Sequence, residues 1–73
     1  MKMWIARDKD DNLLCLYVSC PKISKYGQYW ECPFGTSYLL IDKNLFPEVT
    51  FENSPQQVEI KFIENEKRTD KNK

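Results

Sequence analysis

The sequence predicts a small all-β domain: a twisted antiparallel sheet of five or six short strands, curled toward a partial barrel, with at most one helical turn. Three observations carry this. Apolar residues alternate mostly with period two rather than 3.6. Clusters of turn-forming residues interrupt them at short intervals, the spacing of strands and not of helices. Ten of the 73 residues are aromatic, and large rings suit the core of a chain too short for a second domain.

The elements follow in order. Residues 3–7 (Met-Trp-Ile-Ala-Arg) form a first strand. Asp8-Lys9-Asp10-Asp11-Asn12 is a turn, because short polar side chains bond their own backbone. Leu13 to Cys20 is a second strand, ended by Pro21, which has no N–H for the ladder. The short link makes strands one and two a hairpin. Residues 21–28 read as a loop, with Gly27 free to take a positive φ. Tyr29 to Cys32 is a third strand and Pro33-Phe34-Gly35 a turn. Thr36 to Asp42 is a fourth strand. Asp42 to Pro47 closes one helical turn or a plain loop. Glu48 to Glu52 alternates like a strand, and Asn53-Ser54-Pro55 is a turn. Val58 to Glu64 alternates most clearly, with Val58, Ile60 and Phe62 on one face and Glu59 and Lys61 on the other, as in a half-buried antiparallel strand.

The predicted domain spans residues 1–64. Residues 65–73 contain no apolar side chain and are expected to form a disordered polar tail. The predicted core is Trp4, Ala6, Leu14, Leu16, Trp30, Leu39, Ile41, Phe46, Val49, Phe51, Val58, Ile60 and Phe62.

The composition narrows function by exclusion. There is no histidine, so the commonest general base and zinc ligand are both missing, and no Ser-His-Asp or Cys-His arrangement can form. Two glycines cannot build a glycine-rich phosphate loop. The longest apolar run, Leu13 to Val18, is far short of the about 20 residues that cross a bilayer. The apolar opening stretch is too short for a signal peptide, so the expected location is cytoplasmic. Cys15, Cys20 and Cys32 match no metal or redox spacing and are expected to be reduced and structural, a Cys20–Cys32 bridge being the alternative. Asp8-Lys9-Asp10-Asp11-Asn12 opens like a calcium loop, but Leu13 stands where the loop needs Gly and Ser19 where it needs Glu. The expectation is no enzyme activity, no cofactor and no metal.

Met3-Trp4-Ile5-Ala6-Arg7-Asp8-Lys9-Asp10 and Leu45-Phe46-Pro47-Glu48-Val49-Thr50-Phe51-Glu52, taken together, resemble a group of short proteins from anaerobic gut bacteria and their phages or mobile elements. Those proteins open on a Met-Trp-Ile-Ala-Arg-Asp string and carry a Phe-Pro-Glu-Val segment near the end. The resemblance covers most of residues 3–62 and implies a bacterial or phage cytoplasmic origin. It implies no catalytic or binding residue, since no activity is assigned to the group. This chain departs from the pattern at Asp11-Asn12, where Gly follows the Asp in the group and would supply the positive φ of a tight turn.

Two surfaces remain as candidate sites. Ile5, Leu13, Tyr17, Tyr38, Leu40 and Ile63 fall opposite the predicted core on the same strands, where a sheet with one wet face would be polar. Tyr17, Tyr38 and Leu40 are therefore expected to contact a protein partner or a second copy in a homodimer. The loop from Lys22 to Trp30 interleaves Lys22, Lys25, Tyr26 and Tyr29. Those residues could anchor a protein interface or, as the alternative, stack the bases of a single-stranded nucleic acid. Zero formal net charge argues against the second. The expected function is a small protein-interaction module.

Overall fold

A computed structural model describes residues 1–61. Phe62, Ile63 and the polar segment over 65–73 lie outside the described residues. The strands are β1 (Lys2–Arg7), β2 (Leu14–Tyr17), β3 (Lys22–Ile23), β4 (Trp30–Glu31), β5 (Tyr38–Ile41) and β6 (Gln56–Glu59). They form a four-stranded sheet in the order β5-β2-β1-β6 and a two-stranded ribbon of β3 and β4. Every pairing is antiparallel. The domain is all-β, without a helix among the described residues. The sheet does not close into a barrel: β5 and β6 are its two edges.

Register decides which side chains share a face. Trp4 lies opposite Tyr17, Ile5 opposite Leu16 and Ala6 opposite Cys15. Leu16 in turn faces Leu39, and Tyr17 faces Tyr38. One face therefore carries Ile5, Leu14 and Leu16 and is covered by Val49, with Ile41 and Val58 packed alongside. The other carries Trp4, Ala6, Cys15 and Tyr17 and is covered by Trp30 and Cys32. The sequence-based core placed Trp4 and Ala6 with Leu14 and Leu16. The observed register puts these pairs on opposite faces, because the hairpin loop sets β1 against β2 one residue away from that grouping. The described chain covers both faces of its sheet by returning once over each.

Several expected core residues stand outside. Leu39 is 59% exposed, Phe46 48% and Ile60 39%. Leu39 sits on an edge strand with no neighbour beyond it. Phe46 belongs to the turn that follows β5, and Ile60 lies at the end of the sheet, where it exchanges backbone bonds with Met1. The segment 48–52 is not a strand. Its backbone groups are taken by local bonds: the N–H of Val49 donates to the Phe46 carbonyl, that of Thr50 to Asn53 Oδ1 and that of Asn53 to Thr50 Oγ1. Side chains of this kind compete with a ladder for the same groups. Asp42 to Leu45 closes a turn, with the Asn44 N–H on Asp42 Oδ1 and the Leu45 N–H on the Asp42 carbonyl. Lys22–Ile23, read as loop, forms a strand against Trp30–Glu31.

Arg7 ties the covering segment to the sheet. Its guanidinium is buried and donates through Nε to the Val49 carbonyl, through Nη1 to the carbonyls of Asn12 and Lys43, and through Nη2 to those of Leu45 and Phe46. Its own N–H donates to Ser54 Oγ at 2.9 Å. That bond falls where the β1–β6 register would place the next ladder partner. Ser54 thus extends the pairing past Pro55, which has no N–H to give and lies opposite Ala6.

Candidate functional site

The hairpin loop after β1 and the β3–β4 ribbon are built from backbone capping. The N–H of Trp30 donates to Asp8 Oδ1 at 3.0 Å, and its indole Nε1 donates to the Arg7 carbonyl at 3.1 Å. The N–H of Leu13 donates to Asp11 Oδ1. Ser24 is buried and its Oγ accepts from the N–H groups of Gln28 and Tyr29, shaping the turn between β3 and β4. These bonds hang the ribbon over one face of the main sheet and leave a gap beside β5.

That gap is a cleft of about 540 Å³. Its floor is Cys15 and Tyr17 of β2, one wall is Tyr38 and Leu40 of β5, and the other is Tyr29 to Cys32. The rings of Tyr17 and Tyr38 stack at 5.8 Å with 28° between their planes. The lining is mostly aromatic, aliphatic and thiol, with Asp8 and Glu31 as its acidic residues. Burial raises the Asp8 pKa, the Trp30 N–H opposes that rise, and Asp11 and Asp10 add to it. Burial likewise pushes up the Cys15 thiol and the Tyr17 phenol, so both hold their protons at neutral pH. The cleft offers mainly apolar contact.

Four of the seven residues singled out from sequence line this one cleft: Tyr17, Tyr29, Tyr38 and Leu40. Tyr17 is its floor and only 3% exposed, whereas Tyr38 is 60% exposed and Leu40 55%. Tyr17 therefore supports the surface from beneath and offers a partner little of its own area. Lys22, Lys25 and Tyr26 lie elsewhere, exposed along the β3–β4 ribbon, with Lys25 Nζ 5.7 Å from the Tyr26 ring centre. Leu39 escaped the sequence reading, which placed it in the core. The signal was the unbroken apolar run from Tyr38 to Ile41, which does not alternate as a strand with one wet face should.

The three cysteines carry free thiols. Asp8, Asp10 and Asp11 bring carboxylate oxygens within 4.8 Å of one another, but Asp8 and Asp11 spend oxygens on backbone N–H groups of the turn. No helix among the described residues is long and apolar enough to cross a membrane. No protein-family model, curated protein or solved structure matches this chain.

Proposed function

We propose that this chain is a non-enzymatic protein-interaction module whose contact surface is the edge of β5 with the cleft beside it. The observation that carries this is the exposure of Tyr38, Leu39 and Leu40 on an edge strand of the sheet. Natural edge strands are blunted by charge, proline or bulges, and β5 has none of these. Side chains alternate across a strand, so Leu39 offers an apolar contact on one face of the sheet and Tyr38 and Leu40 offer one on the other. An extended segment of a partner can add to such an edge through its main chain and place an apolar side chain in the cleft. A bacterial or phage cytoplasm is the setting we propose, on the strength of the sequence resemblance alone.

Selection of a displayed library of extended peptides against the immobilised chain tests this reading. Wild type is expected to enrich peptides with alternating apolar residues, and Tyr38→Lys to lose them while keeping its far-ultraviolet spectrum. Enrichment that survives Tyr38→Lys would place the surface elsewhere. The second reading, single-stranded nucleic acid on the Lys22–Trp30 loop, draws on the exposure of Lys22, Lys25 and Tyr26 along one ribbon. Cross-strand pairing of Lys22 with Glu31 and zero formal net charge weigh against it. Binding of a mixed oligonucleotide that weakens steeply with salt and with Lys25→Glu would replace the protein reading.

A further inference from the structure

The hydrogen-bond parity of β5 narrows the partner, an inference that rests on the interaction reading above. The N–H of Val18 donates to the Ser37 carbonyl, and Tyr17 lies opposite Tyr38. Antiparallel pairs alternate between bonded and non-bonded. Leu39 and Ile41 therefore turn their backbone groups toward β2, and Tyr38 and Leu40 turn theirs outward. The outward positions on either side are each half spent: the Thr36 N–H donates to the Pro33 carbonyl and the Asp42 carbonyl accepts from Leu45. The open edge is thus a window from Tyr38 to Leu40, with outward-bonding residues at its two ends.

We propose that the occupant of this edge is a second copy of the chain, paired antiparallel about a two-fold axis at Leu39. In that register Tyr38 bonds with the partner's Leu40 and Leu40 with the partner's Tyr38, and each pair exchanges both its N–H···O bonds. Leu39 meets the partner's Leu39 on one face, while on the other each Tyr38 ring lies beside a leucine, a favourable cross-strand pair. A window this short favours a copy over a longer foreign strand, which would run past it onto positions already half spent. Charge agrees. No charged residue lies between Glu31 and Asp42, so two copies meet without like-charge repulsion, and a charged partner finds no counterpart. The other edge, β6, carries Glu59 and two glutamines, the polar content that keeps copies apart. Size sets the strength. Even with Tyr38, Leu39 and Leu40 of both copies fully covered, the pairing removes at most about 700 Å² from water. That lies below the about 1,000 Å² that a stable specific interface clears. The pairing is a reversible dimer and not an obligate one.

Sedimentation across a concentration series up to about 1 mM, together with thiol cross-linking, tests it. Wild type is expected to shift from monomer to dimer with concentration, and Leu40→Lys to remain a monomer with an unchanged far-ultraviolet spectrum. Should Leu40→Lys fail to fold, synthetic protein with an N-methylated Leu40 blocks the same edge while keeping the side chain. In a Cys20→Ser background, which removes the exposed thiol, Leu39→Cys should cross-link rapidly. A non-bonded pair holds its Cα atoms about 4.5 Å apart, within disulfide reach. Leu40→Cys should cross-link at least tenfold more slowly. A wild type monomeric throughout, or equal cross-linking at the two positions, overturns the dimer. If the wild type stays monomeric yet enriches peptides in a Tyr38-dependent way, the dimer falls and the interaction reading stands; if it does neither, both fall.

Discussion

Arg7 holds the part of the fold that no strand reaches. It is 7% exposed and meets no carboxylate within ion-pair distance among the described residues. Its five N–H donors go instead to five main-chain carbonyls, which uses the whole capacity of a guanidinium. Lysine brings three donors from a single point and cannot span that arc. Arg7→Lys is expected to cost about 1–3 kcal/mol, because the buried Val49 carbonyl and some of the part-buried ones lose their partners, read as a lowered urea midpoint with an unchanged slope. In sequence an arginine closing Met-Trp-Ile-Ala-Arg reads as the solvent end of a strand, and nothing local marks it as a clamp. The same bonds tie two distant stretches of the chain: Arg7 of Met-Trp-Ile-Ala-Arg-Asp grips Phe46 and Val49 of Phe-Pro-Glu-Val. Asp8, the next residue, carries a pH signature. Burial raises its pKa, so the folded chain binds its proton more tightly than the unfolded chain. That contribution is complete below the ordinary aspartate value of about 4 and is lost as pH rises through the folded value. Asp8→Asn keeps the oxygen that accepts from Trp30 and removes the charge. It is expected to melt higher than wild type at neutral pH, with the difference closing below about pH 3.

At the scale of elements, the hairpin of β1 and β2 was legible because alternation and turn chemistry agreed. The loop that closes this hairpin takes a left-handed conformation at a residue other than glycine: Asn12 has φ 65°. Asparagine tolerates this better than other side chains, because it bonds locally to the backbone. Asn12→Gly is therefore expected to fall within about 0.5 kcal/mol of wild type, and Asn12→Val to cost about 1–2 kcal/mol, measured by urea unfolding. The segment 48–52 was misread for a physical reason. Its alternation is real, but Thr50 and Asn53 bond each other's backbone N–H groups, and a strand cannot form from groups already spent. The β3–β4 ribbon was half legible. Its turn depends on Ser24, an unremarked serine in sequence, whose hydroxyl gathers the N–H groups of Gln28 and Tyr29. Periodicity reports faces, and neither of these arrangements leaves a trace in it.

The whole molecule is a sheet with a thin cover on each side, and its two small cores meet only through the sheet itself. Sequence reasoning saw apolar residues on both faces and judged one chain too short to cover them. The described residues do cover both, except along β5, so the expected open face shrinks to an open edge. The candidate site was legible as residue types, since Tyr38 and Leu40 were named, but not as a place, because the cleft depends on how Asp8 and Arg7 suspend Trp30. Thiol chemistry reads the same layering. Cys20 is exposed, Cys32 intermediate and Cys15 buried, and burial also raises the Cys15 pKa. A chromogenic disulfide reagent is expected to modify Cys20 first and Cys32 more slowly. Cys15, buried at the floor of the cleft, should react slowest, and urea should accelerate it more than the other two. Equal rates at Cys15 and Cys20 would mean that the covered face opens freely. The strand order has a last consequence, for the chain as it is made. β1 lies inside the sheet, yet its second neighbour is β6, more than fifty residues later in the chain. During synthesis β1, β2 and β5 can pair while residues 56–59 are still inside the ribosome. Until those residues emerge, β1 is itself an edge, carrying Trp4 and Ile5 beside unpaired backbone. The nascent chain therefore passes through a stage with two apolar edges, where the finished one has a single apolar edge, and that stage is when it is most exposed to chaperones and to neighbouring copies of itself.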